Sequence, residues 1–330
     1  MQQEKLVEMY RQRGMDEDAI ARAVSAAEAA EQYFTDNGIG LKQAGADDIQ
    51  QYVQTLMDAG ENDVESLLAV ARYTYLIGNR EAYIHFTKLL GGIGVVENIH
   101  ARTARFAGDD TANAVFIDLP QVPVGTLPSD VPPYTAELMT RLKRHMPEES
   151  YRRALAGNNH GISEAAMTAE KAAYERSASL DEYLRGRHQR NVAQLQSHAD
   201  SGQVWFEQII TQDVVDYVKT NQEILSAVHR GGRLYVTKIP YDAVNYLKEQ
   251  DPLMRRYYAC HCPLARESIR SGRPVDGDWC YCSGGFAKFP FEVIFGRELS
   301  VKVLQSALTG DGICRFEIGL GEETDEHERR

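Results

Sequence analysis

The chain has 330 residues, 43 % hydrophobic and 25 % charged, with 36 Lys and Arg against 48 Asp and Glu for a formal net charge of -12. That length exceeds one ordinary core and implies two or more domains, while the acidic balance argues against a nucleic-acid surface, whose affinity comes from basic side chains neutralising phosphates. No run approaches the ~20 apolar residues of a membrane span and MQQEKLVEMYRQRG lacks the apolar core of a secretory signal, so a cytoplasmic protein with reduced thiols is expected.

Residues 1–107 read as short helices joined by tight turns. Ile49, Tyr52, Val53 and Leu56 repeat at i, i+3, i+4 and i+7 ahead of Gly60, which suits a left-handed C-terminal residue. Asn62 and Glu65 have capping-box spacing before the stripe Val64, Leu67, Leu68, Ala71 and Tyr75, and Gly78 closes that helix. Helices over 80–90 and 95–106 follow. The order of elements resembles the SAM-like core-binding domain that precedes the catalytic domain of tyrosine recombinases. The recombinase site would need a His-x-x-Arg pair, and the chain offers only His327 to Arg330 in an acidic tail, so a docking or dimerising helical domain is expected instead.

Between 108 and 134 lie Pro120, Pro123, Pro128, Pro132 and Pro133, five of the 11 prolines. Proline fixes its own φ and extends the residue before it, so this stretch reads as an interdomain linker. An α+β domain over 135–320 and an acidic tail over 321–330 complete the chain. Helices are predicted over 134–145, 148–156 and 163–201, the last breaking near 177–180. A helix with Val214, Val215, Val218 and Leu225 should end at Gly231-Gly232, and 233–239 alternates as a strand does. A strand over 254–262, a helix opened by Pro263, a turn at Ser283-Gly284-Gly285, a helix ending at Gly296 and a terminal antiparallel hairpin follow.

All five cysteines fall in the last quarter, as Cys260-His261-Cys262, Cys280-Tyr281-Cys282 and Cys314. In extended strands residues i and i+2 share a face, so each pair would present two sulfurs together, and four thiolates could converge on a zinc ion. A reactive or redox thiol, or buried thiols acting as small apolar side chains, are the alternatives, and an iron-sulfur cluster is the lesser cofactor reading. Glu267 is a candidate general base for a metal-bound water and His261 a catalytic or pocket-lining imidazole on the opposite strand face from the sulfurs. Arg266 could clamp a substrate carboxylate, with Tyr258, Tyr281 and Lys288 as further substrate contacts. Lys288 and Glu292 also have the spacing of a helical ion pair. His160, in Gly157-Asn158-Asn159-His160-Gly161, sits in a turn-forming segment that could lend it to a site.

The runs from Thr237 to Tyr241, Arg256 to Ile269, Cys280 to Phe286 and Gly310 to Ile318 resemble an uncharacterised bacterial family related to L-2-amino-thiazoline-4-carboxylic acid hydrolases. More distantly they are similar to the 4-vinyl reductase domain, a small-molecule-binding α+β module. The likeness covers about residues 205–318. It implies metal cysteines at Cys314 and near Cys280 and Cys282, but the reductase domain's Glu and Cys before its ending are absent from 301–306, which leaves Cys260 and Cys262 to complete a ligand set. Two functions follow: a metal-dependent hydrolase acting on a C–N bond of a small cyclic or amide substrate, or a noncatalytic, zinc-containing sensor of a small molecule, in either case forming homo-oligomers through the helical domain.

Overall fold

A computed structural model of the protein describes residues 3–321 and has an α+β fold. Residues 322–330, with His327 and Arg330, lie outside the described residues. The chain forms two compact units, one running to Gly91 and taking in Gln121–Asp130, the other made of Gly92–Pro120 and the chain from Val131 onward. No helix among the described residues is long and apolar enough to cross a membrane.

The first unit is a helical bundle of α1 (Gln3–Gln12), α2 (Glu17–Asp36), α3 (Ala46–Ala59), α4 (Val64–Leu76) and α5 (Arg80–Leu89). Side-chain caps start three of these helices. Asp16 accepts from the Ala19 amide at 2.7 Å, Asp63 from Ser66 at 2.9 Å and Asn79 from Ala82 at 3.0 Å. Gly60 ends α3 in the left-handed conformation. The apolar faces meet in a core that includes Leu6, Ala27, Phe34, Ile49, Val53, Leu67, Val70 and Phe86. Capping of α4 falls to Asp63 rather than Asn62, because the Asn62 amide instead donates to the Val124 carbonyl at 2.7 Å. That bond and the packing of Val124 on the core hold Gln121–Asp130 in this unit. The proline-rich stretch is therefore divided, since Asp109–Phe116 is helical in the second unit and Pro132 and Pro133 open a helix there.

The helical part of the second unit comprises α6 (Val95–Ala107), α7 (Asp109–Phe116), α8 (Pro132–His145), α9 (Glu148–Leu155), α10 (Thr168–Glu175) and α11 (Leu180–Ser201). A short hairpin of β1 (Val204–Trp205) and β2 (Gln208–Ile209) leads to α12 (Gln212–Lys219). Next come β3 (Val228–Arg230), β4 (Arg233–Thr237), α13 (Ala243–Lys248), α14 (Pro252–Ala259) and the single turn α15 (Ser268–Ser271). Last come α16 (Tyr281–Phe295), β5 (Ser300–Gln305) and β6 (Arg315–Gly319). The antiparallel sheet has the order β3-β4-β6-β5, with Val236 opposite Phe316 and Phe316 opposite Val303. Leu234, Phe316 and Ile318 share its buried face.

Several local expectations are overturned here. Gly231-Gly232 does not end a helix; α12 stops at Lys219, and both glycines take positive φ in the two-residue turn between Arg230 and Arg233. The cysteine pairs are not on strands. Asp251 accepts from the Leu253 amide at 3.0 Å with Pro252 at the first helical position, so the stretch before Cys260 becomes α14. Asp276 likewise starts a 3-10 turn, Gly277–Cys280, that runs into α16 and places Cys282 on a helix. Pro263 opens no regular helix: residues 263–267, with Arg266 and Glu267, are tight turns, and Ile269 falls in the single turn α15, its amide bonding the Arg266 carbonyl at 3.1 Å. Nor do Gly284 and Gly285 turn the chain. Both lie within α16, where a Cβ on Gly284 would press Val301 and Phe316 at 3.2–3.4 Å, and one on Gly285 would collide with the Gly157 carbonyl oxygen. The glycines let the helix lie close on the sheet and on the loop after α9.

Candidate functional site

Four segments contact one another in the second unit: His261 bonds the Ile239 carbonyl, Lys238 reaches Ser283 and Phe286, and Phe286 packs on His160. The chain leaving β4 contributes Lys238 and Tyr241, tied to the strand opposite by the Lys238 amide bonding the Cys314 carbonyl at 2.9 Å. The stretch after α14 supplies Cys260, His261, Cys262 and Arg266, the start of α16 supplies Cys282, Ser283 and Phe286, and the turn after α9 supplies His160.

Arg266 is only 7 % exposed. Its guanidinium carbon lies 4.2 Å from the centroid of the Tyr241 ring and 4.9 Å from that of Tyr257. Such stacking suits the weakly hydrated, planar guanidinium. The Glu267 carboxylate stands 4.0 Å away and already accepts from the Tyr257 hydroxyl, while Tyr241 donates to Glu207 at 2.6 Å. Arg266 Nε is buried with no hydrogen-bond partner. Glu267 is thus engaged by Tyr257 and shared with Arg270, also at 4.0 Å.

His261 donates from Nε2 to the Ile239 carbonyl, which fixes the tautomer and leaves Nδ1 as an acceptor. Burial, then the neighbouring Lys238 and Arg266, hold its pKa well below the ordinary value. Its ring meets Tyr241 edge to face with centroids 5.5 Å apart. His160 packs edge to face on Phe286 at 5.3 Å, and Nε2 approaches Cys282 Sγ at 3.7 Å. Desolvation of the ring and Lys238 lower its pKa too, although His160 as a residue is exposed.

The five cysteines are free thiols, four buried and Cys262 half-buried. Cys262 accepts from the Trp279 indole at 3.1 Å, and Cys280 shares a 2.9 Å contact with Ser306. Burial pushes up the pKa of all five, and neighbouring thiols add to it, Cys314 on Cys260 and Cys280, Cys262 on Cys282 and Cys314. The sequence-distant cysteines do gather, but no three His, Cys, Asp or Glu side chains among the described residues are arranged to hold a metal ion.

Of the other expected contacts, Lys288 lies elsewhere, buried against Glu292 and the Leu299 carbonyl. Tyr281 lies under the Arg152 guanidinium at 5.1 Å, and Tyr258 packs on Tyr257 at 5.8 Å with its carbonyl accepting from Asp242. Lys238 and Tyr241 were not singled out from the sequence. The one available signal was a lone lysine flanked by Val236, Ile239 and Pro240 at a strand end.

The model of a family of unknown function (DUF6144) matches residues 235–324, a span that starts in β4 and includes Lys238, Arg266 and all five cysteines. No curated protein and no solved structure matches the chain.

Proposed function

We propose that the second unit binds a small molecule bearing an acid group, and that Arg266 holds that group. The observation behind this is a guanidinium more than nine-tenths buried whose one carboxylate neighbour within 4.0 Å among the described residues is Glu267, at that limit, and whose Nε lacks a partner. A buried charge is costly unless closely paired, and a carboxylate binding the guanidinium in the fork geometry supplies both missing contacts. Tyr241 and Tyr257 form the aromatic walls that such a compact site needs.

Hydrolysis of a C–N bond, which the resemblance to the thiazoline carboxylate hydrolases implies, is a second proposal, and His261 favours it. Its Nε2 is fixed on the Ile239 carbonyl, which leaves the Nδ1 lone pair as a proton acceptor for an attacking water. Glu267 is not used as the base because Tyr257 occupies it. No step is routed through zinc.

Calorimetric titration with L-2-amino-thiazoline-4-carboxylate, acetate and propionate, each against its neutral amide, tests the binding proposal. At least one acid should bind while its amide does not, and Arg266→Gln should weaken that acid roughly ten- to a hundredfold, as loss of one charge-assisted bond of ~1.5–3 kcal/mol implies. Equal affinities for wild type and variant remove Arg266 from the site. Consumption of the thiazoline by wild type and its loss in His261→Gln decide the second proposal.

A further inference from the structure

Away from Arg266, three cations of the second unit stand around one ring. Arg102, Arg105 and Phe106 share a face of α6 at i, i+3 and i+4, and α9 brings Arg153 to the same ring. The guanidinium carbons of Arg102, Arg105 and Arg153 lie 5.3, 5.4 and 4.5 Å from the Phe106 centroid. Contacts from two elements fix this arrangement. Arg102 Nε donates to the Ala154 carbonyl at 3.2 Å and Nη2 to that of Arg153 at 3.4 Å, which ties α6 to the end of α9. A Cβ on Gly157 would lie 1.9 Å from Arg102 Nε, so glycine there is what leaves room for the side chain.

The charges of this cluster do not cancel. Glu298 accepts from Arg153 Nε and Nη2 at 2.9 and 2.7 Å, and among the described residues it is the one carboxylate bonded to any of the three. Arg102 bonds only carbonyls, and the exposed Arg105 has neither a hydrogen bond nor an ion pair among the described residues. Glu292 of α16 is taken by Lys288. Three guanidiniums against one carboxylate leave two positive charges on one ring, in a chain whose formal net charge is -12. The ring's negative face offsets only part of their mutual repulsion at an exposed site, whereas a bound anion offsets it directly.

We propose that Arg102, Arg105 and Arg153 form a second binding site, for a phosphate monoester group. Above its second pKa of about 6 such a group carries about -2, which equals the excess, and it presents three oxygens to the guanidinium N–H groups that the carbonyls and Glu298 leave unbonded. The cluster shares no residue with the Arg266 site and is independent of it. Titration calorimetry of the full chain with methyl phosphate and dimethyl phosphate, which differ by one charge, at pH 8 and fixed ionic strength tests it. Methyl phosphate should bind at least fivefold more tightly than the diester. Arg105→Gln, an exposed change, should weaken methyl phosphate about tenfold, and Glu298→Gln, which removes the competing carboxylate, should tighten it at least threefold. Arg255→Gln, at an exposed arginine stacked singly on Tyr246 at 4.7 Å, should stay within twofold of wild type. A blocked phosphoserine tripeptide separates the two sources of such a group: binding tighter than methyl phosphate supports a phosphorylated chain, equal or weaker binding a small ester. No binding of methyl phosphate, equal affinity for the two esters, an Arg105→Gln protein that binds like wild type or no better than Arg255→Gln departs from it, or no gain in Glu298→Gln overturns the proposal.

Discussion

At the scale of single residues, the site centres on one charge held out of water, that of Arg266, near a histidine kept neutral. His261 makes this measurable through pH. Its pKa is lowered in the folded chain, so below its ordinary value of about 6.5 the unfolded chain takes up a proton that the folded one refuses. The stability contributed by the neutral ring is complete above pH ~6.5 and is lost as the pH falls toward the folded value. His160 shifts in the same direction. Thermal unfolding followed at pH 7, 6 and 5 should give a falling midpoint, His261 contributing at most ~1.4 kcal/mol per pH unit and the exposed His160 less. His261→Gln should flatten part of that slope. A variant as pH-sensitive as wild type would mean that His261 titrates normally. Arg266 was singled out from its sequence neighbourhood, and it is its burial that gives it meaning.

At the scale of elements, caps and glycines decided what the apolar pattern could not. Met254 to Cys262 reads as a strand, yet Asp251-Pro252 is a helix start and the backbone follows the cap. The apolar spacing of α3 and α4 and the alternation in β4 and β6 were legible, since each of these elements buries one face at its own period. Gly284-Gly285 was misread because a turn glycine and a close-packing glycine look alike in one dimension. The two should now separate by mutation. Gly285→Ala brings its Cβ 2.6 Å from the Ala156 carbonyl carbon and onto the Gly157 carbonyl, so it should cost ~3 kcal/mol or more in chemical denaturation. Gly284→Ala meets only side chains at 3.2–3.4 Å and should cost about 1 kcal/mol or less, its better helix propensity offsetting part of the crowding. Equal effects of the two substitutions would contradict the placement of α16.

At the scale of the whole molecule, composition and element order were enough for an α+β chain with a helical first part. They were not enough for the return of Gln121–Asp130 to the first unit. A segment rich in proline and poor in apolar residues reads as a linker, and its attachment rests on Val124 packing and on the bond from Asn62. A protein of residues 1–91 should accordingly gain thermal stability when a peptide of residues 121–130 is added, and Asn62→Ala should weaken that gain. A melting temperature indifferent to the peptide would place 121–130 outside the unit.

The central claim, a buried arginine awaiting an acid, is tested most directly by observing the Arg266 Nε–H by nitrogen-15 NMR, assigned by its loss in Arg266→Lys. The expected result is a signal that persists at neutral pH, protected from exchange by burial, and that moves saturably on titration with succinate but not with succinamide. A signal unmoved by succinate, propionate or L-2-amino-thiazoline-4-carboxylate would contradict it.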